Sequence, residues 1–168
     1  DFSVYRRFQK RFYELTKSMG KKQYLVPYLM SSHPGSQMAD AIRLAQFLKS
    51  EGLHPEQVQD FYPTPGTVST CMYYTGLDPV TLKPIYVPKT KEEKSAQRAL
   101  LQYYRKENLP LIRRVLREIG REDLIGREAN SLVPPEAGSR FVPQKPQSPK
   151  PQKKKTSLTK HLKKKKKY

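Results

Sequence analysis

The sequence of 168 residues has one cysteine, no tryptophan and only 15 acidic residues against 33 Lys and Arg. Each scarcity removes a class of function. A lone Cys71 excludes a disulfide framework, a four-cysteine zinc site and a complete iron–sulfur ligand set drawn from this chain alone. No run of 18 or more apolar residues occurs, so no membrane-spanning helix and no membrane partner are expected. The opening Asp1-Phe2-Ser3-Val4-Tyr5-Arg6-Arg7 has neither an apolar signal-peptide core nor an initiator Met, which points to a cytoplasmic location and to a piece of a longer chain. Paired carboxylates and a Ser/His/Asp set are missing too, with Asp60 and Asp78 standing alone in the sequence. A glycine-rich nucleotide loop and a helix-turn-helix signature are also absent.

Positive charge is abundant: the net charge is +18, and residues 142–168 supply +11 of it through eleven lysines with no Asp or Glu. That stretch, with Pro143, Pro146, Pro149 and Pro151 among the lysines, has too little apolar surface to offset the entropy of ordering and reads as a disordered basic tail. Such a tail holds nucleic acid or an anionic surface through phosphate contacts and counterion release, with little sequence preference. A solvated end that aids solubility explains it equally well. No aromatic residues stand between its lysines for base stacking.

Along the remaining chain, Tyr5, Phe8, Phe12, Leu15 and Met19 recur three and four apart up to Gly20, predicting an amphipathic helix whose aromatic stripe is a packing face. The nearly continuous apolar run Gln23–Met30 predicts a strand buried on both faces, with Pro27 the one residue against it. After the turn Ser31–Ser36, the residues Met38, Ala41, Ile42, Ala45 and Leu48 predict a second helix, N-capped by Ser36, with Asp40 in its first turn. Val58–Tyr62 alternates as a strand should, so residues 24–62 form one βαβ unit. Ligands in parallel sheets sit at the carboxyl ends of the strands, which places Ser31–Ser36 and Pro63–Thr67 on one rim.

Val68–Tyr74 is β-prone, and Ile85-Tyr86-Val87 is expected to pair back beyond the turn at Gly76–Pro79. Thr90-Lys91-Glu92-Glu93 is a capping box that opens a helix carrying Ala96, Ala99, Leu100, Tyr103 and Tyr104. Asn108-Leu109-Pro110 starts another, with Leu111, Ile112, Val115, Leu116 and Ile119 facing inward and Gly120 ending it. These two helices are expected to form a hairpin. Leu124 and Ile125 are the last apolar pair, and residues 127–141 read as irregular.

The strings Tyr24-Leu25-Val26-Pro27-Tyr28-Leu29-Met30-Ser31-Ser32-His33-Pro34-Gly35 and Gln59-Asp60-Phe61-Tyr62-Pro63-Thr64-Pro65-Gly66-Thr67-Val68-Ser69-Thr70-Cys71-Met72-Tyr73-Tyr74-Thr75-Gly76 closely resemble the late part of the YgiQ-type radical S-adenosylmethionine (radical SAM) proteins. The likeness continues through Ile85–Lys89, Gln97–Tyr103 and Gly120–Gly126, so it covers roughly residues 1–126. It implies an α/β fold: the last βα elements of a partial (βα) radical SAM barrel over residues 1–80, then a small helical C-terminal domain of unknown function over 81–126. The Lys/Pro-rich tail, 127–168, follows.

In the parent enzyme the resemblance implies a [4Fe-4S] cluster on a CxxxCxxC motif that reduces S-adenosylmethionine to a 5′-deoxyadenosyl radical. That motif is absent here, so this chain alone is expected to be catalytically silent and to need the upstream radical SAM domain of the same polypeptide as its partner. By position, Leu29, Met30, Ser31, Ser32 and His33 are the candidate cofactor-proximal residues. The better-known relatives of this turn carry Gly where Ser32 stands and Glu where Ser36 stands. Thr64, Gly66, Thr67 and Cys71 are the candidate substrate rim.

Each candidate has a plainer reading. His33 suits a donor or proton carrier, or merely a hydrogen bond within its turn. Gly66 permits close approach of backbone to a ligand, or only ends a strand. Cys71, flanked by Val68, Met72 and Tyr73, suits hydrogen donation, or a buried apolar filler. Arg113, Arg114, Arg117 and Arg121 make a basic stripe, which with the tail gives a rival function: a basic nucleic-acid-binding adaptor using residues 110–168. Glu107, Glu118 and Glu122 interrupt that stripe as on an ordinary solvated helix.

Overall fold

The computed structural model describes residues 2–136, so the basic tail expected to be disordered lies outside the described residues. The described chain mixes helix and strand and is mostly helical: α1 (Phe2–Ser18), β1 (Leu29–Ser31), α2 (Met38–Ser50), β2 (Val58–Asp60), α3 (Val68–Thr75), α4 (Lys91–Leu101) and α5 (Leu109–Glu118). Short 3-10 turns at Lys106–Asn108 and Glu122–Leu124 lead into and out of α5.

β1 and β2 pair in parallel, Leu29 opposite Val58, Met30 opposite Gln59 and Ser31 opposite Asp60. The βαβ unit expected over residues 24–62 is therefore present. Its first strand is much shorter than the apolar run, however. Tyr24, Val26 and Tyr28 are exposed while Leu25, Pro27 and Leu29 are half-buried, a period-two alternation without a ladder. Pro27 offers no backbone donor, and no neighbouring strand among the described residues lies beside this segment to bury its second face. In the sheet itself, Met30 and Gln59 share an exposed face, whereas Leu29 and Val58 turn toward the core.

The core is helical. Ala41, Ile42, Ala45 and Leu48 of α2, Ala99, Leu100 and Leu101 at the end of α4, and Ile112 and Leu116 of α5 form one buried cluster with Leu124, Ile125, Leu132 and Val133. α4 is central: it packs on α2, on α5 and on both strands. Its start is the predicted capping box, Thr90 Oγ1 accepting from the Glu93 amide at 3.1 Å while Glu93 reaches back to the Thr90 amide. The α2 cap differs from expectation. Gln37, one residue after Ser36, is the N-cap, and Asp40 closes the reciprocal box by accepting from its amide at 2.9 Å. That bond first, and the Arg43 guanidinium second, hold the Asp40 carboxyl below its usual range.

Three further expectations are corrected. The aromatic stripe of α1 is not a buried packing face, since Phe8, Leu15 and Met19 are exposed. α1 meets the rest through an Arg6–Glu51 ion pair of 2.6 Å and through Tyr13 Oη, which accepts from the Leu25 amide at 3.4 Å. Val68–Thr75 is a helix, α3, and not a strand, because Thr67 caps its start and Gly76, at φ 67°, ends it in the left-handed region. The return strand reduces to an antiparallel bridge between Leu77 and Pro84, with the Ile85 amide donating to the Gly76 carbonyl. Residues 127–136 form no helix or strand, as expected, yet Ser131, Leu132 and Val133 are buried and Val133 bridges to Ile125.

Candidate functional site

The two strands end side by side, and the loops that leave them meet as one rim. The Phe61 amide donates to the Ser31 carbonyl at 2.8 Å, continuing the ladder one residue beyond the sheet. Ser31, buried, donates through Oγ to Asp60 Oδ1 at 2.6 Å, and the other Asp60 oxygen receives Arg98 of α4 at 2.7 Å. Asp60, isolated in the sequence, is thus the junction between both strand ends and the helix that backs them. Sequence spacing carries no trace of this, because its partners lie 29 and 38 residues away.

Ser32 follows with φ at 62°, a backbone region that L side chains seldom occupy. Gln97, only 1% exposed, fixes that conformation: its Oε1 accepts from the Ser32 amide at 2.9 Å, and its Nε2 donates to the Ser36 carbonyl at 3.1 Å. One glutamine therefore spans the Ser32–Ser36 turn. The Ser32 hydroxyl is buried and has no hydrogen-bond partner among the described residues. Leu29 packs against the core and Met30 faces outward, so of the five cofactor-side candidates only Ser31, Ser32 and His33 stand on the rim.

His33 is half-buried and bonded at both ring nitrogens, Nδ1 at 2.8 Å from the Pro34 carbonyl and Nε2 at 2.9 Å from Ser69 Oγ. Its ring meets the edge of Phe61 at 5.2 Å, Phe61 meets Tyr73 at 5.7 Å, and Lys94 Nζ stands 5.5 Å from the Tyr73 ring. The second loop is tied by threonines: Thr67 and Thr70 both donate to the Thr64 carbonyl, at 3.0 and 2.7 Å. Gly66 lies beside them at φ 79°, with open space where a Cβ would be. Cys71 is exposed on α3, against its reading as buried filler. Thr64, Gly66, Thr67 and Cys71 thus belong to one capped loop, and Ser69, which the sequence reading passed over, joins it to His33.

Two other features frame the rim. A groove of about 700 Å³ opens at the opposite ends of the strands, lined among others by Tyr24, Val26, Tyr28, Leu53 and His54. The basic stripe is consumed internally: Arg113 donates to the Pro134 and Pro135 carbonyls, and Arg114, Arg117 and Arg121 pair with Glu118, Glu136 and Asp123. No group of three potential metal ligands occurs among the described residues, and no helix among them is long and apolar enough to cross a membrane. The single exposed Cys71 does not fit an iron–sulfur cluster.

Comparison with known proteins places these features. The profile of a domain of unknown function, DUF3362, matches residues 56–167, from the loop before β2 through the lysine-rich tail. A UPF0313 protein of Clostridium perfringens (strain ATCC 13124) is 53% identical over 130 residues, covering 77% of this chain and 20% of that protein. A UPF0313 protein of Clostridium botulinum (strain Loch Maree) is 54% identical over 132 residues, covering 79% of this chain and 20% of its own length. The chain therefore spans about a fifth of the length of the curated relatives it matches. No solved structure gives a significant match.

Proposed function

The chain belongs to the DUF3362 family and is related throughout most of its length to UPF0313 proteins, and on that premise we propose that it is the closing part of a radical SAM enzyme. In this reading β1 and β2 are the last strands of a partial (βα) barrel, and their rim is one wall of the chamber in which substrate and S-adenosylmethionine meet. The observation that carries the proposal is the unfinished sheet. Two parallel strands with one face exposed at Met30 and Gln59 are an arrangement that parallel sheets otherwise avoid by covering both faces.

The cluster and its CxxxCxxC ligands belong, in this proposal, to preceding polypeptide, which is the chain's partner. The cluster would supply the electron that cleaves S-adenosylmethionine. This chain's own residues act by shape: Gln97 holds the Ser32 turn, Asp60 ties Ser31 to Arg98, and His33 closes the gap between the two loops. Leu29 and Met30 back that wall, and Thr64, Gly66, Thr67 and Cys71 form its substrate side.

The test begins with the coding sequence that precedes Asp1. A CxxxCxxC motif within a βα pattern is expected there, and its absence overturns the proposal. The reconstituted longer protein is then assayed for reductive cleavage of S-adenosylmethionine to 5′-deoxyadenosine. Replacing Ser32 and His33 together by Ala is expected to lower that turnover, and an unchanged rate removes both from the wall.

A further inference from the structure

The geometry points to a base-activated hydroxyl in the rim: Ser69, paired with His33, is a nucleophile toward acyl esters, an activity separate from the radical chemistry proposed above. The Pro34 carbonyl only accepts, so His33 Nδ1 carries the proton of the neutral ring and Nε2 presents its lone pair. Ser69 Oγ–H, 2.9 Å away, donates to that lone pair. A hydroxyl, a base within hydrogen-bond reach and a third group that fixes the base are thus present in order. Phe61, edge-on to the imidazole at 5.2 Å, restrains the ring further.

The neighbouring hydroxyls mark Ser69 out. Thr67 and Thr70 both donate to the Thr64 carbonyl, which takes no proton, and Thr75 does the same to the Cys71 carbonyl at 2.7 Å. Ser69 alone among these four donates to a base. Ser69 and His33 are both half-buried, so neither is sealed from solvent. Immediately before His33, the buried Ser32 hydroxyl has no hydrogen-bond partner among the described residues.

The step balances without a cofactor. Ser69 Oγ bonds the ester carbonyl carbon as its proton passes to His33 Nε2. The bond from that carbon to the leaving oxygen then breaks, and the leaving alkoxide takes the proton from His33. Water, deprotonated by the same nitrogen, releases the acid and restores Ser69.

The test uses the full 168-residue chain and an alkyl fluorophosphonate, in which the Ser69 Oγ–P bond forms as fluoride leaves. Peptide mass spectrometry is expected to find the adduct on Ser69, with p-nitrophenyl acetate hydrolysis lost in Ser69→Ala. His33→Gln, which keeps a hydrogen bond but takes no proton, is expected to slow labelling about 100-fold. Added imidazole is expected to recover part of the rate in His33→Ala. Thr75→Ala, which removes another hydroxyl of α3, is expected to change nothing. An adduct on another residue, or Ser69 labelled as fast in His33→Gln as in the unaltered chain, overturns the proposal. Should that variant not fold, a solvent deuterium isotope effect on labelling of the unaltered chain decides: about twofold supports proton transfer to His33, and unity refutes it. Neither result bears on whether preceding polypeptide holds a cluster.

Discussion

Gln97 shows how much one side chain decides in this molecule. Its two amide atoms serve the buried Ser32 amide and the half-buried Ser36 carbonyl, so Gln97→Ala leaves both groups without this partner. A loss of about 1–3 kcal/mol in urea unfolding is expected, and an unchanged midpoint would show that the turn stands unaided. A second residue-level prediction concerns Tyr86 and Glu93. The Tyr86 hydroxyl donates to Glu93 and, first among several bonds, holds that carboxyl below its ordinary range. Glu93 therefore adds stability above the ordinary carboxylate pKa, and loses it as pH falls through the depressed folded value. Burial first, and the Glu93 carboxylate second, push Tyr86 up to about 12. Its contribution is complete below the ordinary tyrosine range and is lost as pH rises through about 12. Tyr86→Phe is expected to raise the Glu93 midpoint in a carboxyl NMR titration, and a fixed midpoint would refute the bond. The sequence made Ser31, Ser32, His33 and Thr67 readable as a rim, because strand ends and turn residues announce themselves locally. Gln97, Arg98 and Ser69 went unread, since their roles depend on partners 36 to 65 residues away.

At the scale of elements, local signals were reliable where a cap and an apolar stripe agreed. α4 is the example: Thr90 opens it and Ala96, Ala99 and Leu100 bury one face. Thr90→Ala is expected to cost about 1 kcal/mol and to fray the first turn, read as faster amide exchange at Lys91–Glu93. α3 went the other way. Its Val68, Thr70, Tyr73 and Tyr74 favour a strand one by one, but a capping threonine and a left-handed Gly76 at either end outweigh so weak a preference. α1 keeps its helical period while its stripe stays in water, so truncations should sort by contact rather than by residue type. Leu100→Ala, in the helix that joins every layer of the core, is expected to cost about 2–5 kcal/mol. Phe8→Ala, at 55% exposure, is expected to stay within about 0.5 kcal/mol. Equal losses in the two variants would place α1 in the cooperative unit.

Over the described residues, apolar surface stays exposed at Tyr24, Val26 and Tyr28 before β1, at Met30 on the sheet, and at Phe8, Leu15 and Met19 of α1 or just beyond it. Unpaired edges of this kind template association. Sedimentation of the chain is expected to show species heavier than 19.6 kDa as concentration rises, and Val26→Lys is expected to reduce them. A strictly monomeric chain at all concentrations would mean that these surfaces are satisfied internally. The sequence foretold the parallel pair, because two apolar runs flanking a helix read as one βαβ unit. The first run fails to form a long strand here, for burial needs neighbours that the described residues do not provide.

The fastening of Ser32 by Gln97 also orders events in time. A ribosome adding about 5–20 residues per second delivers the crest of the first strand roughly 3 to 13 seconds before the side chain that locks it. Through that interval the left-handed kink has no clasp. The wall beside His33 therefore sets only after residue 97 has been added, and a transcript cut short between residues 62 and 97 yields both strands with an unset crest.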